Sequence, residues 1–204
     1  MPTAESKPTA LESVYALTKF DQERSCLILG RAYAFDVVAL RFFNAFGPRQ
    51  ALSNPYTGVL AIFASRLLNG RRPLVFEDGA QQRDFVSVHD VARACVLSLT
   101  APGAAGQVIN VGTGQPRTVR EIAERVAAAV GRPELAPELT GSYRMGDIRH
   151  CYADVSRARA ILGYEPQADF DQALRELAFW LEGQVPQDRV AEARAELAAR
   201  GLTL

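Results

Sequence analysis

Asp36-Val-Val-Ala-Leu-Arg-Phe-Phe43 is an almost continuous apolar run rich in β-branched and aromatic residues. That is the pattern of a strand covered on both faces, as in parallel sheets, rather than the alternation of a half-exposed one. Immediately upstream, Ser13 to Ala34 carries helical periodicity. Helix followed by buried strand is half of a βαβ unit, so the fold class is α/β. Downstream, Asn44 to Thr57 contains Gly47, Pro48 and Pro55 and reads as a long loop just past the strand's C-terminal end. Open α/β sheets place their ligands there.

The same grammar continues outward. Gly58 to Asn69 is helical, Leu74-Val-Phe76 a short strand, Glu77-Asp-Gly79 a turn, and Arg83-Asp-Phe-Val-Ser87 a second strand. Val88 to Leu99 resumes helix with Asp90 in its first turn, and Gln107-Val-Ile-Asn-Val111 is strand. Thr118-Val-Arg-Glu121 fits a capping box that opens a helix running to about Val130, where Gly131-Arg-Pro133 ends it. Pro133 to Asp154 is irregular, with helices expected over 155–162 and 170–183. Residues 1–12 read as a loop, and 188–200 alternate charge and alanine like a solvated terminal helix.

Composition narrows the functional classes. Lys+Arg 23 against Asp+Glu 23 leaves a formal charge of zero, which offers no field for nucleic acid or an anionic membrane. Cys26, Cys95 and Cys151 are an odd, widely spaced set without Cys-x-x-Cys, which points to reduced thiols, no zinc site and a cytoplasmic protein. No apolar run approaches about 18 residues. His89 and His150 lack metal-ligand spacing, so no metal is expected.

Tyr15 and Lys19 stand four residues apart in the predicted first helix and therefore share one face. A phenol is a poor base near neutrality unless a nearby cation favours its phenolate, and Lys19 can be that cation. The bland alternative is a solvated helix face. Against it, only Lys7 and Lys19 among the 23 basic residues are lysine, so a chain that otherwise uses arginine has an amine here. Arginine's bulky planar fork would not replace it equivalently.

These motifs, with Leu40-Arg-Phe-Phe-Asn-Ala-Phe-Gly-Pro-Arg49, Phe76-Glu-Asp-Gly79, Gln82-Arg-Asp-Phe-Val86, Asn110-Val-Gly-Thr-Gly114 and Arg144-Met-Gly-Asp147, occur in an order that resembles the extended short-chain dehydrogenase/reductase family, in particular its nucleotide-sugar epimerases and dehydratases. The resemblance runs from about Pro2 to about Trp180. It implies the latter part of a Rossmann-type parallel sheet plus a small α/β substrate-binding region: 13–130 interleaves the two, 131–185 forms the C-terminal substrate-binding region, and 186–204 is a tail. It implies NAD as cofactor, with Tyr15 as acid/base, Lys19 tuning that tyrosine and holding the nicotinamide ribose, and Phe42 beside the cofactor. Asn44, Arg83 and Arg144 would meet the diphosphate of a nucleotide-sugar, Phe76 its base, Val59 the same ligand, and Cys151 would wall the sugar. The family's usual Gly at position 77 is Glu77 here, which could alter the turn or meet the base.

Among family members the run Gln50 to Gly58 with Asp147-Ile-Arg-His-Cys151 is most similar to dTDP-L-rhamnose 4-epimerases. The implied reaction is C4 epimerisation through a 4-keto sugar. The alternatives are a 4,6-dehydratase, or a noncatalytic nucleotide-sugar-binding portion. The family's phosphate-cradling Gly-x-x-Gly-x-x-Gly and the Ser or Thr before its Tyr-x-x-x-Lys do not occur in this sequence, and Gly112-Thr-Gly114 is not expected to substitute. The sequence is therefore read as the C-terminal portion of a longer homodimeric enzyme, inactive alone. Glu23 and Arg24 are expected on the solvent or dimer face of the first helix.

Overall fold

The computed structural model describes residues 1–50, 58–142 and 148–184. Helix α1 spans Val14–Tyr33, followed by β1 (Ala39–Phe42), β2 (Asn44–Phe46), α2 (Val59–Leu68), β3 (Leu74–Val75), β4 (Gln82–Arg83) and β5 (Phe85–Ser87). Then come α3 (Val88–Thr100), β6 (Val108–Val111), β7 (Arg117–Thr118), α4 (Val119–Ala129), β8 (Glu138–Leu139), β9 (His150–Cys151), α5 (Ser156–Leu162) and α6 (Phe170–Glu182). Among the described residues no helix is long and apolar enough to cross a membrane.

Ser13 caps α1, its side chain accepting from Ala16 N, and Ala34 closes the helix in the left-handed conformation at φ 55°. Two contacts seat α1 on β1. A Cβ on Gly30 would lie 2.7 Å from Val37 Cγ2, so only glycine permits this approach. One and a half to two turns earlier, Arg41 donates to both Glu23 oxygens at 2.7 and 2.8 Å. Glu23 thus faces the sheet rather than solvent, and its carboxylate holds the Arg41 guanidinium above its usual range. The reason for this departure from expectation is that a strand arginine half-covered by α1 needs a carboxylate partner.

The buried run ends differently from its sequence reading. Only Ala39–Phe42 is paired as one strand, parallel to β6. Phe43 N donates to Val111 O, but the next amide, Asn44 N, donates to Asp84 O, and Asn44–Phe46 runs parallel to β5. The chain changes partner between residues 43 and 44, so the first residues of the expected loop are strand. The remaining ladders are small: β3 pairs with β8, and β4 lies between antiparallel β7 and parallel β9.

Two apolar cores result. Helices α2, α4 and α6 meet strands β2, β3 and β5 through Phe46, Phe63, Leu67, Val75, Phe85, Ile122, Leu174 and Leu177. The second gathers Val86, Ile109, Val111, Leu162 and Tyr164. Thr118 Oγ1 accepts from Glu121 N at 3.1 Å, the capping half of the box read at α4. The N-terminal segment, read as a loop, is anchored: Thr3 bridges Ala153, and the Glu5 carboxylate accepts from Asn110 N at 2.8 Å.

Candidate active site

Tyr15 sits in the first turn of α1, half exposed, with the Lys19 ammonium 5.7 Å from its ring centroid. Lys19 also donates to Gln22 Oε1 at 3.2 Å. The two seats of α1 fix its direction: from Gly30 to Glu23 the helix rises about 10 Å toward its N-terminus while the chain runs forward from Val37 into β1 as far as Arg41. Helix and strand are therefore antiparallel. Continuing toward the helix N-terminus carries Lys19 about 6 Å and Tyr15 about 12 Å beyond Glu23. That is past Phe42, the exposed last residue of β1, and beyond the C-terminal end of the parallel pair.

Asn44 lies two residues after Phe42 and is exposed, tied by its amide to Asp84 O. Arg83 and Cys151 are direct neighbours across β4 and β9. Arg83 Nη1 donates to Gln82 O at 2.9 Å and to Arg149 O at 3.0 Å. Cys151 is a half-buried free thiol. Val59 opens α2 and packs on the first core. Arg144, together with residues 51–57 and the expected terminal helix at 188–200, lies outside the described residues.

Phe76 is half buried ahead of a turn in which Glu77 takes φ 51° and Gly79 φ 76°. Gln81 Nε2 donates to Phe76 O at 3.0 Å. Glu77 N donates to Ser142 O at 2.9 Å, and Arg149 pairs with the Glu77 carboxylate and, at 2.7 Å, with Asp78 Oδ2. That guanidinium brings the Asp78 carboxyl down to about 2.

Sequence reasoning missed the residue that organises this end of the sheet. Asp84 is fully buried, and it is not a surface partner of Arg83. Its carboxylate accepts from Thr113 N at 2.9 Å, Thr113 Oγ1 at 2.6 Å, Gly114 N at 2.8 Å and Ala153 N at 3.1 Å. A Cβ on Gly112 would lie 2.6 Å from Asp84 Oδ2. The Thr113 and Gly114 amides are therefore spent on a carboxylate of the same chain rather than offered to a phosphate. The signal available in sequence was an acid inside an apolar strand, where an unpaired charge is too costly to leave. Asp90 follows the same logic, taking Arg93 Nη2 at 2.7 Å and Gln167 N at 3.0 Å.

Comparison with known proteins gives the family. A family model described as the NAD dependent epimerase/dehydratase family matches residues 1–112. A dTDP-L-rhamnose 4-epimerase of Burkholderia thailandensis is 38% identical over 87% of this chain and 47% of its own length. A UDP-N-acetylglucosamine 4-epimerase from Methanobrevibacter ruminantium, solved with UDP-N-acetylmuramic acid, superposes with TM-score 0.82 at 35% identity, covering 90% of this chain and 58% of that one. A Thermus thermophilus UDP-glucose 4-epimerase solved with NAD gives TM-score 0.78 at 32% identity, covering 91% and 59%. The chain spans about half the length of the curated relatives it matches.

Proposed function

The chain belongs to the NAD-dependent epimerase/dehydratase family, and from that premise we propose that it carries the acid/base tyrosine and the nucleotide-sugar site of a C4 epimerase. The observation that carries this reading is the direct pairing of Arg83 with Cys151, far apart in sequence, beside the crossover that joins Phe42 to Asn44. The proximity of these two side chains to the strand end toward which the N-terminus of α1 points supports reading Arg83 as a phosphate-binding fork and Cys151 as a small residue beside the sugar.

Tyr15 as phenolate takes the proton of the sugar's 4-hydroxyl and returns it after the 4-keto stage. Lys19 stabilises that phenolate and reaches the nicotinamide ribose, with Phe42 beside it. When bound, NAD supplies the acceptor and donor for the hydride at C4. Arg83 and Arg144 hold the diphosphate by charge-assisted hydrogen bonds, Asn44 assists them, Phe76 and Val59 contact the nucleoside end, and Cys151 leaves room at the sugar. The 38% identical relative supports a dTDP-L-rhamnose-like substrate. Exposed Leu17, Ile28 and Tyr33 on α1 support pairing of that helix with a second copy.

Arg83→Ala and Arg144→Ala are each expected to weaken binding of a nucleotide-sugar by roughly 1.5–3 kcal/mol, read by calorimetry. Binding untouched in both variants would refute the site. Among the described residues, Tyr15 and Lys19 would meet the nicotinamide end of NAD, whereas the Thr113 and Gly114 amides are committed to Asp84 and are not offered to its pyrophosphate. The 204-residue chain alone is therefore expected to show no micromolar NAD binding and no epimerase turnover, both appearing when the NAD-binding half of a relative is supplied. Micromolar binding by the isolated, monodisperse chain would overturn that.

A further inference from the structure

The two recognition elements of the proposed site, the turn behind Phe76 and the guanidinium of Arg83, are joined through one residue. Arg149 donates from Nη1 to the Glu77 carboxylate and from Nη2 to Asp78 Oδ2 at 2.7 Å, gripping the turn from outside. Its carbonyl accepts from Arg83 Nη1 at 3.0 Å, and Gln82 N approaches the same oxygen at 3.2 Å. The side chain of Arg149 thus holds one element and its main chain the other.

The turn needs such a brace. Glu77 stands at φ 51°, in the left-handed region that residues with a Cβ rarely adopt. Gly79 at φ 76° could not carry a Cβ, which would lie 2.9 Å from Arg120 Cβ and 3.0 Å from Val75 Cγ1. Beneath the turn, Gln81 is 4% exposed and fastens the Phe76 carbonyl. Arg149 itself is badly placed to ligate an anion, because both arms of its fork already meet carboxylates that would repel one.

We propose that Arg149 is a positioning residue that sets the spacing between the Phe76 turn and the Arg83 guanidinium, so that the site selects a nucleoside diphosphate over a bare diphosphate. This rests on the reading of Phe76 and Arg83 given above. A rigid spacing matters because the two ends of such a ligand are covalently linked. Each end binds well only if its partner is already at the right distance, and ordering the turn at the moment of binding would subtract from affinity.

The test is calorimetric titration of the 204-residue chain with dTDP and with inorganic pyrophosphate, alongside thermal melting. Arg149→Ala should weaken dTDP binding about tenfold, the lower end for a charge-assisted pair once solvent screening is allowed for. Pyrophosphate affinity should stay within about threefold and the melting temperature should hold. The double variant Glu77→Gln with Asp78→Asn should reproduce that split from the other side of the pair, since an asparagine keeps the side-chain oxygen that accepts from Ala80 N at 2.9 Å while both charges that Arg149 grips are removed. Arg149→Lys, which can serve one carboxylate at a time, should fall between. Unchanged dTDP binding in Arg149→Ala overturns the assignment, as does a parallel loss of pyrophosphate, which would make Arg149 a phosphate ligand. If the parent chain binds neither probe, the reading of the site fails and this assignment fails with it. Binding by the parent that the variants leave intact fails the assignment alone.

Discussion

Tyr15→Phe is expected to lower turnover by about 10²- to 10⁴-fold, the scale on which a positioned acid/base group contributes, when the chain is supplied with the NAD-binding half of a relative. The change removes one oxygen from a half-exposed ring. The helix cap belongs to Ser13, which accepts from Ala16 N at 3.1 Å, so α1 should form as before. Thermal stability and nucleotide-sugar affinity should therefore hold while the rate collapses. Lys19→Ala should also slow the reaction, because the site loses the ammonium that stands 5.7 Å from the Tyr15 ring. A Tyr15→Phe enzyme within a few-fold of the parent would remove the tyrosine from the mechanism. With a nucleotide-sugar that carries a 6-hydroxyl, a 4-keto product that has lost it would instead mark the reaction as a dehydration.

Asp84→Ala is expected to cost at least about 3 kcal/mol of stability, since it strands the buried amides of Thr113, Gly114 and Ala153 and the Thr113 hydroxyl at once. At this chain length that corresponds to a fall in melting temperature of roughly 6–12 °C. Asp84→Asn keeps the shape but turns an NH2 toward donors, so it should recover only part of the loss. The effect should reach the site as well. Asp84 O holds Asn44 N, and the carboxylate holds Ala153, two residues beyond Cys151. A melting temperature within about 2 °C of the parent would show that water satisfies these groups, and the carboxylate would lose its organising role.

The helix α1 and the pairing of Tyr15 with Lys19 were legible because they are written in neighbours along the chain: Ser13 caps the helix and an i, i+4 spacing sets the face. The same holds for the capping box at Thr118 and for the helix expected over 58–69, observed as Val59–Leu68. The end of the first strand was not legible in the same way. Apolar character continues unbroken through Leu40-Arg-Phe-Phe43, whereas the exchange of partner from β6 to β5 depends on which carbonyl, Val111 O or Asp84 O, meets each amide. Glu23 was misjudged for a related reason. Its position on the helix looked solvent-facing until β1 brought Arg41 against it.

The sequence by itself determined the α/β alternation, the ordered motifs that mark the family and the placement of an amine beside a phenol, since each is a property of spacing within one segment. Only the tertiary structure decided that Asp84 is a buried hub, that the Thr113 and Gly114 amides are consumed by it, and that Arg149 joins Glu77 and Asp78 to Arg83. In each case a charged group meets partners tens of residues away. Whether a carboxylate lies at the surface or in the core depends on whether enough distant N–H groups converge to replace its water. No local pattern encodes that convergence, because it exists only once the strands have chosen their neighbours.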